Sequence, residues 1–268
     1  MKEHAIVAHH DLDGVVSALL LWHWLGEGDA FFVAYPDLHS LLPRLVREYR
    51  RVWMVDLSPE GEEAWRAVRA FPGKVAMFDH HATACCDEAM ALCEVDSSGQ
   101  RCAAEVVADY LGRQGMSLPG PLKELVRYAH DRDLWLRRLP EADRFNDVVE
   151  ELGAERVFAL LREDLGRARA WTEEMQQAAQ RARAKRERSL HLAQRTMVEE
   201  EGPQGWRLRA ALCWGYVSDV AEALGGEKVA VLLWDVEDLA RLQPSLHFRS
   251  QGQGWDLAQL AQRLGGGG

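Results

Sequence analysis

Lys74-Val75-Ala76-Met77-Phe78-Asp79-His80-His81 is the stretch on which the reading of this chain turns. A short apolar run, Val75–Phe78, ends in an acid and two adjacent histidines. Such a run between polar residues has the pattern of a fully buried strand. One histidine at a strand end has an ordinary structural explanation. Two beside an aspartate lose hydration at a cost unless something pairs with them. The usual partner is a metal ion or a reacting group, so the question is whether the chain brings further ligands to the same place.

The preceding residues set that place. Ala5–Ala8 is a short apolar strand, and Asp13-Gly14 leads into a buried helix, VVSALLLWHWL. Ala30–Ala34 is a second strand, Leu41–Tyr49 an amphipathic helix, and Val52–Val55 a third strand closing on Asp56. Ser58-Pro59-Glu60 predicts the next helix, over 60–71, with Ser58 as its cap and Pro59 at its first position. Strand and helix therefore alternate through the first 80 residues. This pattern predicts an α/β fold, a parallel sheet with flanking helices. Ligands of such sheets gather at the carboxyl ends of the strands. His9, Asp11, Asp13, Asp56, Asp79, His80 and His81 all fall there.

Beyond residue 100 the pattern predicts helices over 102–114 and 121–130, then a long charged helical connector from about 152 to 201. A smaller α/β unit follows, with strands at 208–212, 229–234 and 245–249 and helices near 218–224 and 256–264. The expected organisation is a metal-binding domain over 1–150, a helical connector over 151–202 and a second domain over 203–268.

Composition narrows the class. The 268 residues are 47% hydrophobic and 28% charged, as in ordinary globular proteins, and the net charge of −10 disfavours non-specific binding to long nucleic acids. No apolar run is long enough to span a membrane and the start lacks a signal-peptide core, so a cytoplasmic protein is expected. The five cysteines, Cys85, Cys86, Cys93, Cys102 and Cys213, are odd in number and form no CxxC pair, which favours reduced thiols over a zinc site or a disulfide framework.

Four clusters carry the chemistry: His9-x-Asp11-x-Asp13-Gly14, Asp56, Asp79-His80-His81, and Asp131 within HDRDLW. Imidazoles mixed with carboxylates suit Mn, Fe or Zn better than Ca. In this order the clusters resemble the DHH phosphoesterase superfamily over residues 5–135. A weaker likeness to its C-terminal DHHA1 domain rests on Ser245-Leu246-His247-Phe248-Arg249-Ser250 and on DLAQLAQRLGGGG. In that family the glycine run continues into a His and an Ala-Ala-Gly stretch, where this sequence has Gly268 last.

The resemblance implies two divalent cations, most often Mn²⁺ with Mg²⁺ as the alternative. It implies His9 and Asp11 on the first, Asp13, His80 and Asp131 on the second, and Asp56 between them. His81 is then left for the substrate and Asp79 for orienting a ligand histidine. Arg249 is expected to grip a substrate phosphate, assisted by Ser250 and by the backbone of Gly266 and Gly267. The expected reaction is hydrolysis of short single-stranded oligonucleotides or small nucleotides to mononucleotides. The alternatives are an exopolyphosphatase or other phosphoanhydride hydrolase, and a non-catalytic metal-dependent nucleotide sensor. Neither a monomer nor a homodimer is singled out.

Overall fold

The computed structural model describes residues 1–202, 205–236 and 245–250, without the side chains of Pro36, Ser245, Leu246, Phe248, Arg249 and Ser250. The chain divides into two compact units, 1–179 and 180–268.

Five strands build the first unit's sheet: β1 (Lys2–His9), β2 (Asp29–Val33), β3 (Tyr49–Val55), β4 (Val75–Asp79) and β5 (Leu92–Val95). All pair in parallel, in the order β2-β1-β3-β4-β5. The near-continuous apolar runs of β1, β3 and β4 suit strands covered on both faces. Side chains alternate between two cores. Ile6, Ala8, Trp53, Val55, Ala76 and Phe78 belong to one. Ala5, Val7, Val52, Met54, Val75 and Met77 belong to the other.

Helices α1 (Leu12–Leu25), α4 (Ala103–Arg113), α5 (Gly120–Asp133), α6 (Pro140–Leu152) and α7 (Ala154–Glu163) contribute to the first core. Helices α2 (Tyr35–Glu48) and α3 (Gly61–Ala70) contribute to the second. The chain leaves β1 for β2 on one side, and β3 lies on the other. Their carboxyl ends therefore part at a topological switch point, where such sheets bind ligands.

Several expectations shift. Helix α3 starts at Gly61, with Glu60 as its cap, and Ser58 is buried instead of capping. The expected helical connector over 151–202 is broken into α7, a 3₁₀ turn (Leu165–Ala168) and α8 (Glu173–Thr196), and it ends in a strand at Val198–Glu201. Asp164 breaks it by accepting the Gly166 N–H at 2.8 Å. Val157, Phe158, Leu160 and Leu161 of α7 are buried in the first unit's core, so the boundary falls within α8 rather than at 150 or 202. Sequence periodicity also missed β5, α6 and a fourth strand in the second unit.

That second sheet runs β6 (Val198–Glu201), β7 (Arg207–Cys213), β8 (Val229–Asp235), β9 (Ser245–Ser250). Only β7 and β8 pair in parallel. Ala211, Cys213, Val229, Val231 and Leu233 form its core with Val220, Ala221 and Leu224 of α9 (Val217–Leu224). The helix expected over 256–264 lies outside the described residues. Among those described, no helix is long and apolar enough to cross a membrane.

The cysteines require a correction. Cys86 and Cys93 form a disulfide, with Cα atoms 5.7 Å apart. Cys85, Cys102 and Cys213 take no part in a disulfide, and the first of these is exposed. The sequence separation of Cys86 and Cys93 gave no warning, because β5 was not recognised and it is β5 that carries Cys93 back beside β4.

Candidate metal centre

The site lies along the carboxyl ends of β1, β3 and β4. His9 ends β1, and Asp11 caps α1 by accepting the Gly14 N–H at 3.0 Å. Gly14 is demanded by close approach: a Cβ there would lie 2.1 Å from the His9 carbonyl oxygen. Asp56 follows β3 with φ of +56°, a left-handed conformation that aspartate tolerates better than most residues. Asp79 ends β4, and His80 and His81 follow it.

The side chains converge. His9 Nδ1 lies 2.8 Å from Asp11 Oδ2 and 3.8 Å from Asp56 Oδ2. His80 Nε2 lies 3.3 Å from Asp56 Oδ1, 3.5 Å from Asp133 Oδ2 and 4.0 Å from Asp13 Oδ2. Two sets thus stand side by side, His9-Asp11-Asp56 and Asp13-His80-Asp133, each able to direct one atom per residue at a common ion. Asp56 adjoins both.

Much of this set has no hydrogen-bond partner. Both oxygens of Asp56, one oxygen each of Asp79 and Asp133, and His80 Nε2 are buried and unbonded. Buried polar atoms are rarely left so. Orphaned carboxylate oxygens facing an imidazole nitrogen are what a divalent cation requires, so the residues present fit the metal that the motifs imply.

The electrostatics agree. Burial, reinforced by Asp11, Asp13 and Asp133, pushes the Asp56 carboxyl well above the ordinary carboxylate range. Asp13 is raised too, by burial and by the charges of Asp133 and Asp11. Asp133 is raised chiefly by burial. Desolvation works against the charge of Asp11, but the His9 imidazole and the Gly14 N–H outweigh it and hold Asp11 low. Without cations, three carboxyls here favour protonation.

The structure changes two assignments. Asp131 is not the acid that α5 brings to the cluster. Its carboxylate accepts the N–H of Arg138 on both oxygens, at 3.1 Å, and the N–H of Leu139 at 3.1 Å. Asp133 takes its place, because residues two apart on a helix project from different sides. Asp79, in turn, does not orient the imidazole of His80. Its Oδ1 accepts the His80 N–H at 2.7 Å and meets His81 Nδ1 at 2.8 Å. That contact raises the pKa of His81, against the pull of partial burial, and leaves the ring's Nε2 clear of Asp79.

Three neighbours carry no sequence signature. The N–H groups of Ala103 and Ala104, at the start of α4, reach Asp13 at 2.7 and 2.9 Å. Tyr35, at the start of α2, sets its ring 6.2 Å from His9 and 6.4 Å from His81. Burial, followed by the charges of Asp79 and Asp56, keeps its phenol protonated. An aromatic residue two positions after β2 belongs to no motif, and a helix N-terminus that caps a distant aspartate leaves no local pattern.

Of the expected substrate contacts, Arg249 and Ser250 lie in β9, in register with Val231 and Ala230. Their side chains lie outside the described residues, and so do Gly266 and Gly267.

Residues 3–129 match the model of the DHH family, N-terminal domain. Among solved structures, the chain resembles exonuclease RecJ bound to manganese, with 16% identity over 98% of this chain and 80% of that one, at a TM-score of 0.65. A pGpG-specific phosphodiesterase from Vibrio aligns with 14% identity over 100% of this chain and 90% of that one, at a TM-score of 0.60. An exopolyphosphatase-related protein from Bacteroides fragilis gives 16% identity over 100% and 84%, also at 0.60. At these identities the likeness is one of fold. No curated protein matches the chain in sequence.

Proposed function

We propose that this chain, whose residues 3–129 match the N-terminal domain of the DHH family, is a metal-dependent phosphoesterase that hydrolyses short oligonucleotides or small nucleotides to mononucleotides at a pair of Mn²⁺ ions. The observation that carries this reading is the set of buried, unbonded donor atoms on Asp56, Asp79, His80 and Asp133. His9, Asp11 and Asp56 would hold one cation, and Asp13, His80 and Asp133 the other, with Asp56 shared. Such a pair supplies Lewis-acid charge for the phosphoryl oxygens and acidifies the attacking water.

The chain's own residues supply the rest. Asp79 fixes the Nδ1 side of His81, so the imidazole presents Nε2 to substrate. The Asp79 contact favours the protonated ring, whose Nε2–H can donate to the leaving oxygen. Tyr35 walls the site beside both His9 and His81 and restricts water around the reacting group.

Two observations support a small substrate. The net charge of −10 opposes a long polyanion. The likeness to the pGpG-specific enzyme spans nearly the whole of both chains. The test is a Mn²⁺-dependent hydrolysis panel of a linear dinucleotide, a five-mer, a twenty-mer, pAp, pyrophosphate and polyphosphate. Fast release of mononucleotide from the shortest oligonucleotides, with the twenty-mer slow, is expected. Turnover of pyrophosphate or polyphosphate alone would replace this substrate class with phosphoanhydrides. Tight nucleotide binding without turnover would make the chain a sensor.

A further inference from the structure

The turn between α5 and α6 carries a combination that joining two helices does not require. Trp135 and Arg137 both adopt left-handed backbone conformations, each with φ of +55°. Bulky residues are disfavoured there and glycine is the usual occupant. Their side chains converge instead. The guanidinium groups of Arg132 and Arg137 lie 4.2 and 4.8 Å from the centre of the Trp135 ring. Both reach the same carboxylate, Asp143 in the first turn of α6, at 3.4 and 3.1 Å. From the other side Asp131 accepts the N–H groups of Arg138 and Leu139, and the Leu136 N–H reaches the Asp131 carbonyl at 2.9 Å.

All of this grips the last turn of α5, and Asp133 is the final residue of that helix. Helix ends fray when nothing holds them. Here the terminal residue must hold a buried, unbonded carboxylate oxygen 3.5 Å from His80 Nε2. Groups that orient metal ligands from behind commonly change metal affinity about 10- to 100-fold when removed.

We propose that the turn over residues 134–139 is a clamp that presents Asp133 to the metal cluster, with Asp131, Arg132, Trp135, Arg137 and Asp143 as positioning residues. The strain at Trp135 and Arg137 is then kept because it stacks the two guanidinium groups behind the ligand helix. The inference rests on the metal reading of the cluster.

The test compares Mn²⁺ affinity, by electron paramagnetic resonance on metal-stripped protein, with the melting temperature in EDTA. The proteins are the wild type, Trp135→Gly, Asp143→Asn and Asp143→Glu. Trp135→Gly relieves the backbone strain while removing the stack. Its metal-free melting temperature should hold or rise while its Mn²⁺ affinity falls about 10-fold or more. Asp143→Asn should lose affinity similarly, and Asp143→Glu should recover part of it. Unchanged Mn²⁺ affinity in Trp135→Gly and Asp143→Asn, with lowered melting temperatures, would make the turn purely structural and overturn the clamp. A wild type that binds no Mn²⁺ would overturn the metal reading itself, and the clamp with it.

Discussion

Both units bury polar side chains among apolar strands, but they treat them differently. In the C-terminal unit Ser189 donates to the Gly215 carbonyl at 3.0 Å and accepts the Trp214 N–H at 2.9 Å. Asp235 accepts the Gly215 N–H at 3.0 Å. Ser189 thus ties the loop after β7 to α8, and Asp235 ties it to β8. In the N-terminal unit the rim beyond β3 and β4 leaves both oxygens of Asp56, an oxygen of Asp79 and His80 Nε2 without partners. Folding alone gains nothing from an orphaned buried atom, which costs about 1–3 kcal/mol. The difference between the units is therefore a difference between polar groups that serve stability and polar groups kept open for a ligand.

The sharpest way to break that comparison is a matched pair of substitutions. Asp56→Ala should lower Mn²⁺-dependent turnover by roughly three orders of magnitude or more. Its metal-free melting temperature should hold or rise, because an unpaired buried acid is gone. Asp235→Ala should do the reverse, lowering the melting temperature and sparing turnover of the shortest substrates. Equal thermal losses in the two variants would erase the distinction.

Gly14→Ala tests how tightly the rim is built. The new Cβ would meet the His9 carbonyl at 2.1 Å, and that atom is backbone. A stability loss of roughly 3 kcal/mol or more is expected from denaturant titration. Wild-type stability would show that the first turn of α1 can move away from β1.

A third pair separates the two acids of α5. Asp131→Asn should cost about 1–3 kcal/mol, since the new amide sets an NH₂ donor against the Arg138 N–H that both carboxylate oxygens accept. Asp133→Asn should cost nothing in metal-free protein and should remove most turnover. If Asp131→Asn proves the catalytically damaging, thermally silent change, the assignments are reversed.

The smallest effect is a pH dependence. Asp13, Asp56 and Asp133 have folded pKa values raised above their unfolded ones, so the folded, metal-free protein binds their protons more tightly. Their contribution to stability therefore falls as pH rises from the ordinary carboxylate range through the raised folded values. Metal-free protein should melt a few degrees higher at about pH 5 than at about pH 8, and Mn²⁺ should reverse the order. A metal-free melting temperature that rises with pH would contradict the burial of these acids.

The parts of this molecule legible from sequence are those that burial imposes locally. Val75–Phe78 has the pattern of a covered strand and forms one, and the acids and histidines after β1, β3 and β4 had to share one rim once those strands ran parallel. What stayed hidden depends on where elements stop. Choosing Asp133 over Asp131 required knowing that α5 ends at Asp133 and that the next turn folds its amides onto Asp131. Ser58 has the pattern of a helix cap, yet α3 starts three residues later and Ser58 is buried. The Cys86–Cys93 bond and the Asp13 contact with α4 join segments that no local pattern relates.

On the proposed function the orphaned atoms form a two-ion site. Its most direct test is the stoichiometry of Mn²⁺ binding to metal-stripped protein, followed by electron paramagnetic resonance as the ion is added. Two ions per chain are expected, with the second quenching the signal of the first by magnetic coupling, and Asp56→Ala should abolish the coupling. A single uncoupled ion, or binding that Asp56→Ala leaves unchanged, would contradict the account.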